Sequence, residues 1–194
     1  DIDGDGFLDV AAACNMDSLY LFDANGNRFP GWPVYVEMKA TSDMPPSPTL
    51  ANLDGDDDLE IVMPSSNGAL TVWSHTGSML TGWPQMLETP NLDCHGSAAV
   101  GDVDGDPGLE IVVGSNSGKL YAFDVDGSSI AGWPIQTGAE IYATPTIIDF
   151  DLDGDTEVIL PGMDRKVYVW DCYGSYDAGS GVELGYEAAA PGYY

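Results

Sequence analysis

The sequence is very poor in basic residues. Five lysines and arginines stand against 32 aspartates and glutamates among 194 residues, which gives a formal net charge of -27 at pH 7. A surface of this charge repels the phosphates of nucleic acids and of anionic lipids. We therefore expect no nucleic acid partner, and the composition would suit a cation-rich medium.

Long apolar segments are missing as well. The chain has no run of about 18 apolar residues, so no transmembrane helix and no membrane insertion are expected. No signal peptide opens the chain, and Asp1 already lies inside a repeated motif, which indicates a piece of a longer precursor. A hydrophobic content of 44% with 10% aromatics nevertheless predicts a folded protein rather than a disordered acidic tail.

Cysteine is scarce. The three cysteines (Cys14, Cys94 and Cys172) share no spacing with any repeat and form no CxxC pair. One disulfide plus a free thiol and three buried thiols are both compatible with this count.

What the sequence does contain is a nine-residue acidic motif in four copies. The copies are DIDGDGFLD from Asp1, NLDGDDDLE from Asn52, DVDGDPGLE from Asp102 and DFDLDGDTE from Asp149. A short apolar run follows each copy, and an aromatic residue always stands thirteen residues after the last acid: Phe22, Trp73, Phe123 and Trp170. The sequence is therefore one repeat domain over residues 1–194, with units that start near 1, 52, 102 and 149.

Each unit is predicted to consist of short β-strands. Glycine turns such as Asn67-Gly68 separate alternating apolar runs, and a Gly-Trp-Pro triplet closes three units at 31–33, 82–84 and 132–134. Glycine turns between β-branched and aromatic runs indicate hairpins, and no segment shows helical periodicity. A period of about 50 residues with four strands predicts an all-β fold of β-propeller blades.

The acidic motif is predicted to bind Ca²⁺. Side chains at positions 1, 3 and 5 converge when the loop curls, position 7 offers its carbonyl and position 9 a further carboxylate, which matches the six to eight oxygens that Ca²⁺ takes. Zn²⁺ is disfavoured because the loops lack His and Cys, and Mg²⁺ because it requires a strict octahedron. The motif is no EF-hand, since position 12 carries no Glu. The predicted ligands of up to four ions are Asp1, Asp3, Asp5, Phe7 and Asp9; Asn52, Asp54, Asp56, Asp58 and Glu60; Asp102, Asp104, Asp106, Gly108 and Glu110; and Asp149, Asp151, Asp153, Asp155 and Glu157.

Two of these loops depart from the pattern at position 6. Glycines at positions 4 and 6 permit a tight curl, but Asp57 and Pro107 replace the second glycine in loops two and three. We therefore expect those two sites to be distorted or weaker.

The repeats resemble the integrin-α-like FG-GAP repeats, also called VCBS repeats, of extracellular β-propellers. The clearest stretch is GDVDGDPGLEIVVGSNSGKLYAFDVDGSSIAGWP over residues 101–134, although the literal FG and GAP elements are blurred and the last unit lacks Gly-Trp-Pro. The resemblance implies a Ca²⁺-binding loop between the first two strands of each blade. It also implies seven or eight blades in all, so the four units are expected to belong to a larger propeller whose other blades come from the same or another chain. The alternative is a closed or assembled form of four units.

The function predicted from the sequence is a non-enzymatic, extracellular module, secreted or on the cell surface. Its Ca²⁺ would be structural, and it would serve as a scaffold or adhesion surface for a protein or glycan partner. One alternative is a carbohydrate-binding propeller in which Trp32, Trp83 and Trp133 stack on sugars, although packing between blades explains their fixed position more simply. The other is part of a Ca²⁺-dependent polysaccharide lyase, which the scarcity of basic residues disfavours. The segment Asp93-Cys94-His95-Gly-Ser97 contains an acid, a thiol, an imidazole and a hydroxyl, as hydrolases do. Adjacency in sequence does not give these groups the geometry of a catalytic triad.

Overall fold

The computed structural model describes residues 1–14, 16–38, 45–87 and 94–171. These residues form fourteen β-strands joined by turns, with no helix among them. The described part of the chain accordingly contains no helix that could span a membrane. The predicted all-β fold class is confirmed.

The strands form four antiparallel sheets, one for each sequence repeat. Unit 1 contains β1 (Val10–Cys14), β2 (Ser18–Phe22) and β3 (Val34–Tyr35). Unit 2 contains β4 (Thr49–Ala51), β5 (Glu60–Pro64), β6 (Ala69–Trp73) and β7 (Gln85–Met86). Unit 3 contains β8 (Ala99–Gly101), β9 (Glu110–Gly114), β10 (Lys119–Phe123) and β11 (Ile135–Gln136). Unit 4 contains β12 (Thr146–Ile148), β13 (Glu157–Pro161) and β14 (Val167–Trp170).

Each sheet is an up-and-down meander whose strands follow their order in the chain. Units 2 and 3 have four strands each, in the orders β4-β5-β6-β7 and β8-β9-β10-β11. Unit 1 has three strands because the described residues provide no strand before its loop. Unit 4 also shows three, and the residues after Asp171 lie outside the described part of the chain.

The first strands of units 2, 3 and 4 lie side by side. Strand β8 contacts both β4 and β12, and a Cβ added at Gly101 of β8 would lie 2.9 Å from the Ile147 side chain of β12. Successive first strands therefore pack directly against one another, as the inner strands of propeller blades do.

The core lies in the three junctions between successive units. One apolar cluster joins units 1 and 2, a second joins units 2 and 3, and a third joins units 3 and 4. Strands β5 and β9 of the middle units are buried along their whole length, whereas β2 and β14 of the end units alternate between buried and half-buried residues. The end units therefore bury one face of the sheet, and the middle units bury both.

The Gly-Trp-Pro triplets hold these junctions together. The indole Nε1 of Trp32 donates a hydrogen bond to the His75 carbonyl of unit 2 at 2.7 Å, and that of Trp83 to the Val125 carbonyl of unit 3 at 2.8 Å. The rings of Trp32, Trp83 and Trp133 are only 6–7% exposed. The predicted packing role is confirmed, and the buried rings have no face left for stacking on a sugar.

Candidate metal sites

The four acidic loops lie side by side along one rim of the molecule. Loops 2, 3 and 4 each connect the first and second strands of their unit, and loop 1 leads directly into β1. Neighbouring loops also touch: the Leu59 amide of loop 2 donates to the Ile2 carbonyl of loop 1 at 2.9 Å, and the Thr156 hydroxyl of loop 4 donates to the Asp102 carbonyl of loop 3. The repeat thus places four concentrations of negative charge in a row.

The same ladder of side-chain to backbone hydrogen bonds curls every loop. In loop 2, the Asp56 amide donates to Asp54 Oδ1 at 3.2 Å and the Asp58 amide donates to Asp56 Oδ1 at 2.8 Å. Equivalent pairs of bonds occur in loops 1, 3 and 4. Aspartates favour such local bonds with the backbone two residues on, which explains why alternate residues of the motif are acidic.

The last acid of each loop closes it. One carboxylate oxygen of Glu60, Glu110 and Glu157 accepts the backbone N–H of position 2 at 2.8, 2.7 and 2.6 Å, respectively. Asp9 does the same in loop 1 at 2.8 Å. The three glutamates are 1–4% exposed, although carboxylates are rarely buried unless they are paired. Nothing in the sequence pattern showed that position 9 is buried or that it closes the loop.

In each loop, three carboxylates come within reach of one ion. Their nearest ligand atoms lie within 4.8 Å of one another in the groups Asp1, Asp3 and Asp5; Asp54, Asp56 and Glu60; Asp102, Asp104 and Glu110; and Asp149, Asp151 and Glu157. Loops 3 and 4 use positions 1, 3 and 9, loop 2 uses positions 3, 5 and 9, and loop 1 uses positions 1, 3 and 5. The predicted ligands Asp9, Asp106 and Asp153 lie outside these groups, and the roles of Asn52 and of the carbonyls of Phe7, Asp58, Gly108 and Asp155 stay predictions.

Burial raises the pKa of the loop glutamates. The pKa of Glu110 is raised from 4.5 to about 7, chiefly because the group is buried and further because Asp104, Asp102 and Asp106 surround it. Burial also raises the pKa of Glu60 and Glu157. A buried carboxylate beside other carboxylates is costly in its charged form, and a bound cation would offset that cost.

Loop 4 contains a buried oxygen without a hydrogen bond. In loops 2 and 3, the position-4 glycine amide donates to the position-1 side chain, from Gly55 to Asn52 at 2.7 Å and from Gly105 to Asp102 at 2.8 Å. The equivalent oxygen of loop 4, Asp149 Oδ1, is buried and has no hydrogen-bond partner among the described residues. A buried anionic oxygen of this kind needs a partner, and a cation between Asp149, Asp151 and Glu157 would provide one.

Position 4 adopts a left-handed conformation in all four loops. Gly4, Gly55 and Gly105 have φ values of 68°, 81° and 80°, and Leu152 takes the same conformation at 66°. Asp57 and Pro107, which replace the position-6 glycine, are not left-handed. The acids of loops two and three still converge within the same distance as those of the other loops, so the expected distortion does not separate their carboxylates.

Loop 2 is also connected to the junction between units 1 and 2. The carboxylate of Asp58 lies 3.1 Å from His75 Nδ1. The carbonyl of the same histidine accepts the Trp32 indole. One residue of unit 2 therefore contacts both the acidic rim and the Gly-Trp-Pro turn of unit 1.

The hydrolase-like segment has a structural role where it is described. Ser97 Oγ accepts the Ser47 amide at 3.0 Å, and the Ser97 amide donates to Thr144 Oγ1 at 3.1 Å. Cys94 is buried in the core between units 2 and 3, whereas Asp93 lies outside the described residues. The serine hydroxyl is used between units, and no catalytic triad forms among the described residues. Of the other cysteines, Cys14 is half-buried and Cys172 lies outside the described residues.

Sequence and structure comparisons agree with this repeat architecture. The family model described as an FG-GAP-like repeat matches residues 1–63, which span unit 1, loop 2 and most of β5. Residues 1–63 carry an FG-GAP-like repeat. The FG-GAP resemblance drawn from the sequence is confirmed over these residues. A comparison with curated proteins finds no match.

Solved β-propeller proteins share the fold. BBS1N, in a crystal of its complex with ARL6DN soaked with lead, has a TM-score of 0.65 and 11% identity over 91% of this chain and 54% of its own. BamB from Moraxella catarrhalis has a TM-score of 0.60 and 16% identity over 87% of this chain and 49% of its own. The computationally designed protein Ika4 has a TM-score of 0.58 and 15% identity, with 84% of each chain covered. The chain therefore spans about half the length of BBS1N and of BamB.

Proposed function

We propose that this protein is a Ca²⁺-stabilised β-propeller module that acts outside the cell as a rigid scaffold for a protein or glycan partner, without enzymatic activity of its own. The observation that carries the proposal is loop 4. There Asp149 Oδ1 is buried without a hydrogen bond and lies in one group with Asp151 and Glu157. A cation would satisfy this oxygen and offset the repulsion among the three carboxylates.

Ca²⁺ fits this donor set better than other divalent ions. The groups in all four loops are built from carboxylates alone, without His or Cys. Hard oxygen donors of this kind select Ca²⁺ or Mg²⁺ over Zn²⁺. The irregular combination of loop positions suits Ca²⁺, which accepts variable geometry, better than Mg²⁺, which requires a near-ideal octahedron.

The scaffold role follows from what the ions would hold in place. Loops 2, 3 and 4 each connect two strands of one unit. Loop 1 contacts loop 2 through Ile2 and Leu59, and loop 3 contacts loop 4 through Asp102 and Thr156. An ion that binds only the folded loop stabilises that fold by mass action. Ca²⁺ sites of extracellular modules bind with dissociation constants of about 10⁻⁴–10⁻³ M. Sites of this strength would be filled outside the cell, which is why we place the module there. Protein partners are supported by BBS1N, which has the same fold and was crystallised in complex with ARL6DN.

Thermal unfolding in different ions tests this function. The melting temperature of the metal-free chain is measured in excess chelator, in Ca²⁺ and in Mg²⁺ at equal ionic strength. We expect a rise in Ca²⁺ that Mg²⁺ does not reproduce, and a smaller rise in the variant Glu157→Gln. Glu140→Gln is the matched control, because Glu140 is an exposed glutamate outside the loops. Equal melting temperatures in Ca²⁺ and chelator would overturn the proposal.

A further inference from the structure

The junctions between units 1 and 2 and between units 2 and 3 are built from the same two parts. The first part is the Gly-Trp-Pro turn of one unit. The second part, here called the receptor, belongs to the next unit. It begins with the aromatic residues of the strand before the Gly-Trp-Pro turn of that unit. It also contains the backbone carbonyl two residues after the last aromatic residue and the glycine four residues after that same aromatic residue. In unit 3 the receptor is Tyr121, Phe123, Val125 and Gly127.

The receptors of units 2 and 3 are filled. The Trp83 ring meets Phe123 edge to face at 5.9 Å between centroids, and its indole donates to the Val125 carbonyl at 2.8 Å. The two backbones are also in close contact, because a Cβ added at Gly127 would lie 2.6 Å from the Gly82 carbonyl.

The receptor of unit 2 has the same arrangement. Trp32 lies in one core cluster with Trp73 and donates to the His75 carbonyl. A Cβ added at Gly77 would lie 2.8 Å from the Gly31 carbonyl.

Unit 1 carries the same receptor, and no Gly-Trp-Pro turn of the described residues lies in it. Tyr20 and Phe22 stack with ring centroids 5.9 Å apart at 6°, which matches the pair Tyr121 and Phe123 at 6.0 Å and 2°. The unit 3 pair is 6–8% exposed, whereas Tyr20 and Phe22 are only half-buried and belong to none of the three core clusters. The remaining two receptor positions in unit 1 are the Ala24 carbonyl and Gly26.

The glycine of this receptor is open. A Cβ added at Gly26 would meet no heavy atom of the described residues within 4 Å, although its φ of 80° equals that of Gly77 and Gly127 within 2°. The backbone of unit 1 is therefore shaped like that of the filled receptors. Strand β1 beside it is also half-buried or exposed, where its equivalents β5 and β9 are fully buried.

The chain has no spare turn to fill this receptor. Its three Gly-Trp-Pro triplets are at 31–33, 82–84 and 132–134. Trp32 and Trp83 occupy units 2 and 3, and Trp133 is buried in the same core cluster as Trp170 of unit 4. A second copy of this chain in the same fold would have all three turns engaged as well.

We propose that the end face of unit 1, formed by Tyr20, Phe22, Ala24 and Gly26, is a docking site for the Gly-Trp-Pro turn of another propeller unit, one outside residues 1–194. The incoming indole meets the Phe22 ring at its edge and donates to the Ala24 carbonyl, and the glycine of the turn packs on Gly26. The site continues the interface that already joins units 1 to 4. It does not depend on the proposed Ca²⁺ sites.

A chain with one added repeat tests this site. Residues 52–101 of the protein are placed directly before Asp1, so that Gly101 precedes Asp1 as it precedes Asp102 in the natural repeat. The matched control carries Trp83→Ala in the added copy only. Hydrogen exchange is followed in peptides that cover residues 18–27, with residues 119–123 of unit 3 as an internal reference.

The added unit is expected to slow exchange in residues 18–27 by at least about tenfold, because a junction that must open first protects the amides beneath it. The control chain should lose this protection while the reference is unchanged. Equal exchange in the extended and the original chain would overturn the proposal, as would equal protection in the control.

Two further measurements cover two other outcomes. In the first outcome the extended chain does not fold, and in the second the original chain associates with a second copy of itself. The original chain is titrated with a synthetic peptide of residues 128–137 while the backbone NMR signals of Ala24 and Gly26 are followed, and the same peptide with Trp133→Ala is the control. Signal shifts that occur with the original peptide and not with the Trp133→Ala peptide support the site. If the peptide causes no shifts and the added repeat gives no protection, the proposal is contradicted. Sedimentation of the original chain as a dimer that Phe22→Ala dissociates would assign the face to a second copy and overturn the proposed occupant.

Discussion

At the scale of single residues, the buried glutamate at position 9 is the group on which acidic loops 2, 3 and 4 depend most. Glu60, Glu110 and Glu157 each use one oxygen to hold the N–H of position 2. The same carboxylates belong to the acidic groups that could hold an ion. One residue therefore closes the loop and contributes its charge to the site.

Replacing Glu110 with glutamine separates these two roles. The side-chain carbonyl of Gln still accepts the Val103 amide, but the negative charge is lost. Loop 3 is expected to lose at least about tenfold in Ca²⁺ affinity, because two unit charges at 4 Å attract by roughly 4 kcal/mol near a protein surface. Calorimetry on Glu110→Gln beside Glu140→Gln checks this, and an unchanged isotherm would remove Glu110 from the site.

The raised pKa of Glu110 predicts a pH dependence in the absence of metal. The folded pKa of about 7 exceeds the ordinary 4.5, so the folded chain holds this proton more tightly than the unfolded chain does. The contribution of this proton to the free energy of unfolding is fully present below about pH 4.5 and is lost as the pH rises through about 7. The free energy of unfolding falls by about 3 kcal/mol at most over this range. Urea unfolding of the metal-free chain at pH 5, 6 and 7 measures it.

The variant Glu110→Gln supplies the comparison for this pH series. The free energy of unfolding of this variant should fall less between pH 5 and pH 7 than that of the original chain, because the glutamine side chain carries no carboxyl group to ionise. The general repulsion among the exposed acids affects both chains equally and so cancels in the comparison. Parallel curves for the two chains would contradict the pH assignment.

The backbone of Leu152 is strained, and a glycine at this position should remove the strain. It is 84% exposed and left-handed with φ of 66°, where the other three loops have glycine. The left-handed conformation costs a residue other than glycine about 1–2 kcal/mol, part of which the greater freedom of unfolded glycine cancels. Leu152→Gly should raise the free energy of unfolding by about 0.5–1 kcal/mol. Leu8→Gly, equally exposed but not left-handed, should lower it, and a loss in both would contradict the strain.

At the scale of elements, the sequence predicted the strands and turns closely because each has a local cause. The alternation in Leu70-Thr-Val-Trp73 predicted β6, and the apolar run after Glu60 predicted β5. The burial of Gly-Trp-Pro was also predicted from its fixed place in the repeat. Its hydrogen-bond partner was not, because the His75 carbonyl lies in another unit 43 residues away.

The acidic loops were predictable in composition and less so in geometry. The spacing of the acids indicated an ion site, but which three carboxylates converge differs among loops, since Asp153 lies outside the group that Asp149, Asp151 and Glu157 form. The left-handed conformation of Leu152 and the burial of Glu157 were not predictable either, because both are properties of the folded loop and not of the spacing of its acids.

The junction between units predicts different costs for two glycines of similar conformation. A Cβ at Gly82 would lie 1.8 Å from the Asp126 carbonyl, whereas one at Gly26 would meet nothing within 4 Å. Both glycines are left-handed, so both alanine variants incur about 1–2 kcal/mol of strain. Only Gly82→Ala must also push two units apart, so it should unfold at a clearly lower urea concentration than Gly26→Ala. Equal midpoints would contradict the close contact between units 2 and 3.

At the scale of the whole molecule, four blades form a row in which three junctions carry the core. The acidic loops lie along one rim, and the chain carries a net charge of -27. Repulsion along that rim opposes the close approach of successive units, whose loops touch at Leu59 and Ile2. Bound divalent cations would reduce this repulsion where it is greatest.

We propose one Ca²⁺ ion for each acidic loop. The number of ions that the metal-free chain binds tests this, measured by isothermal titration calorimetry and confirmed by metal analysis after equilibrium dialysis. We expect up to four Ca²⁺ per chain, with one fewer in Glu110→Gln and the full number in Glu140→Gln. If the chain binds no Ca²⁺ at millimolar concentration, the Ca²⁺ sites are refuted and the loops are acidic turns that form the fold without an ion.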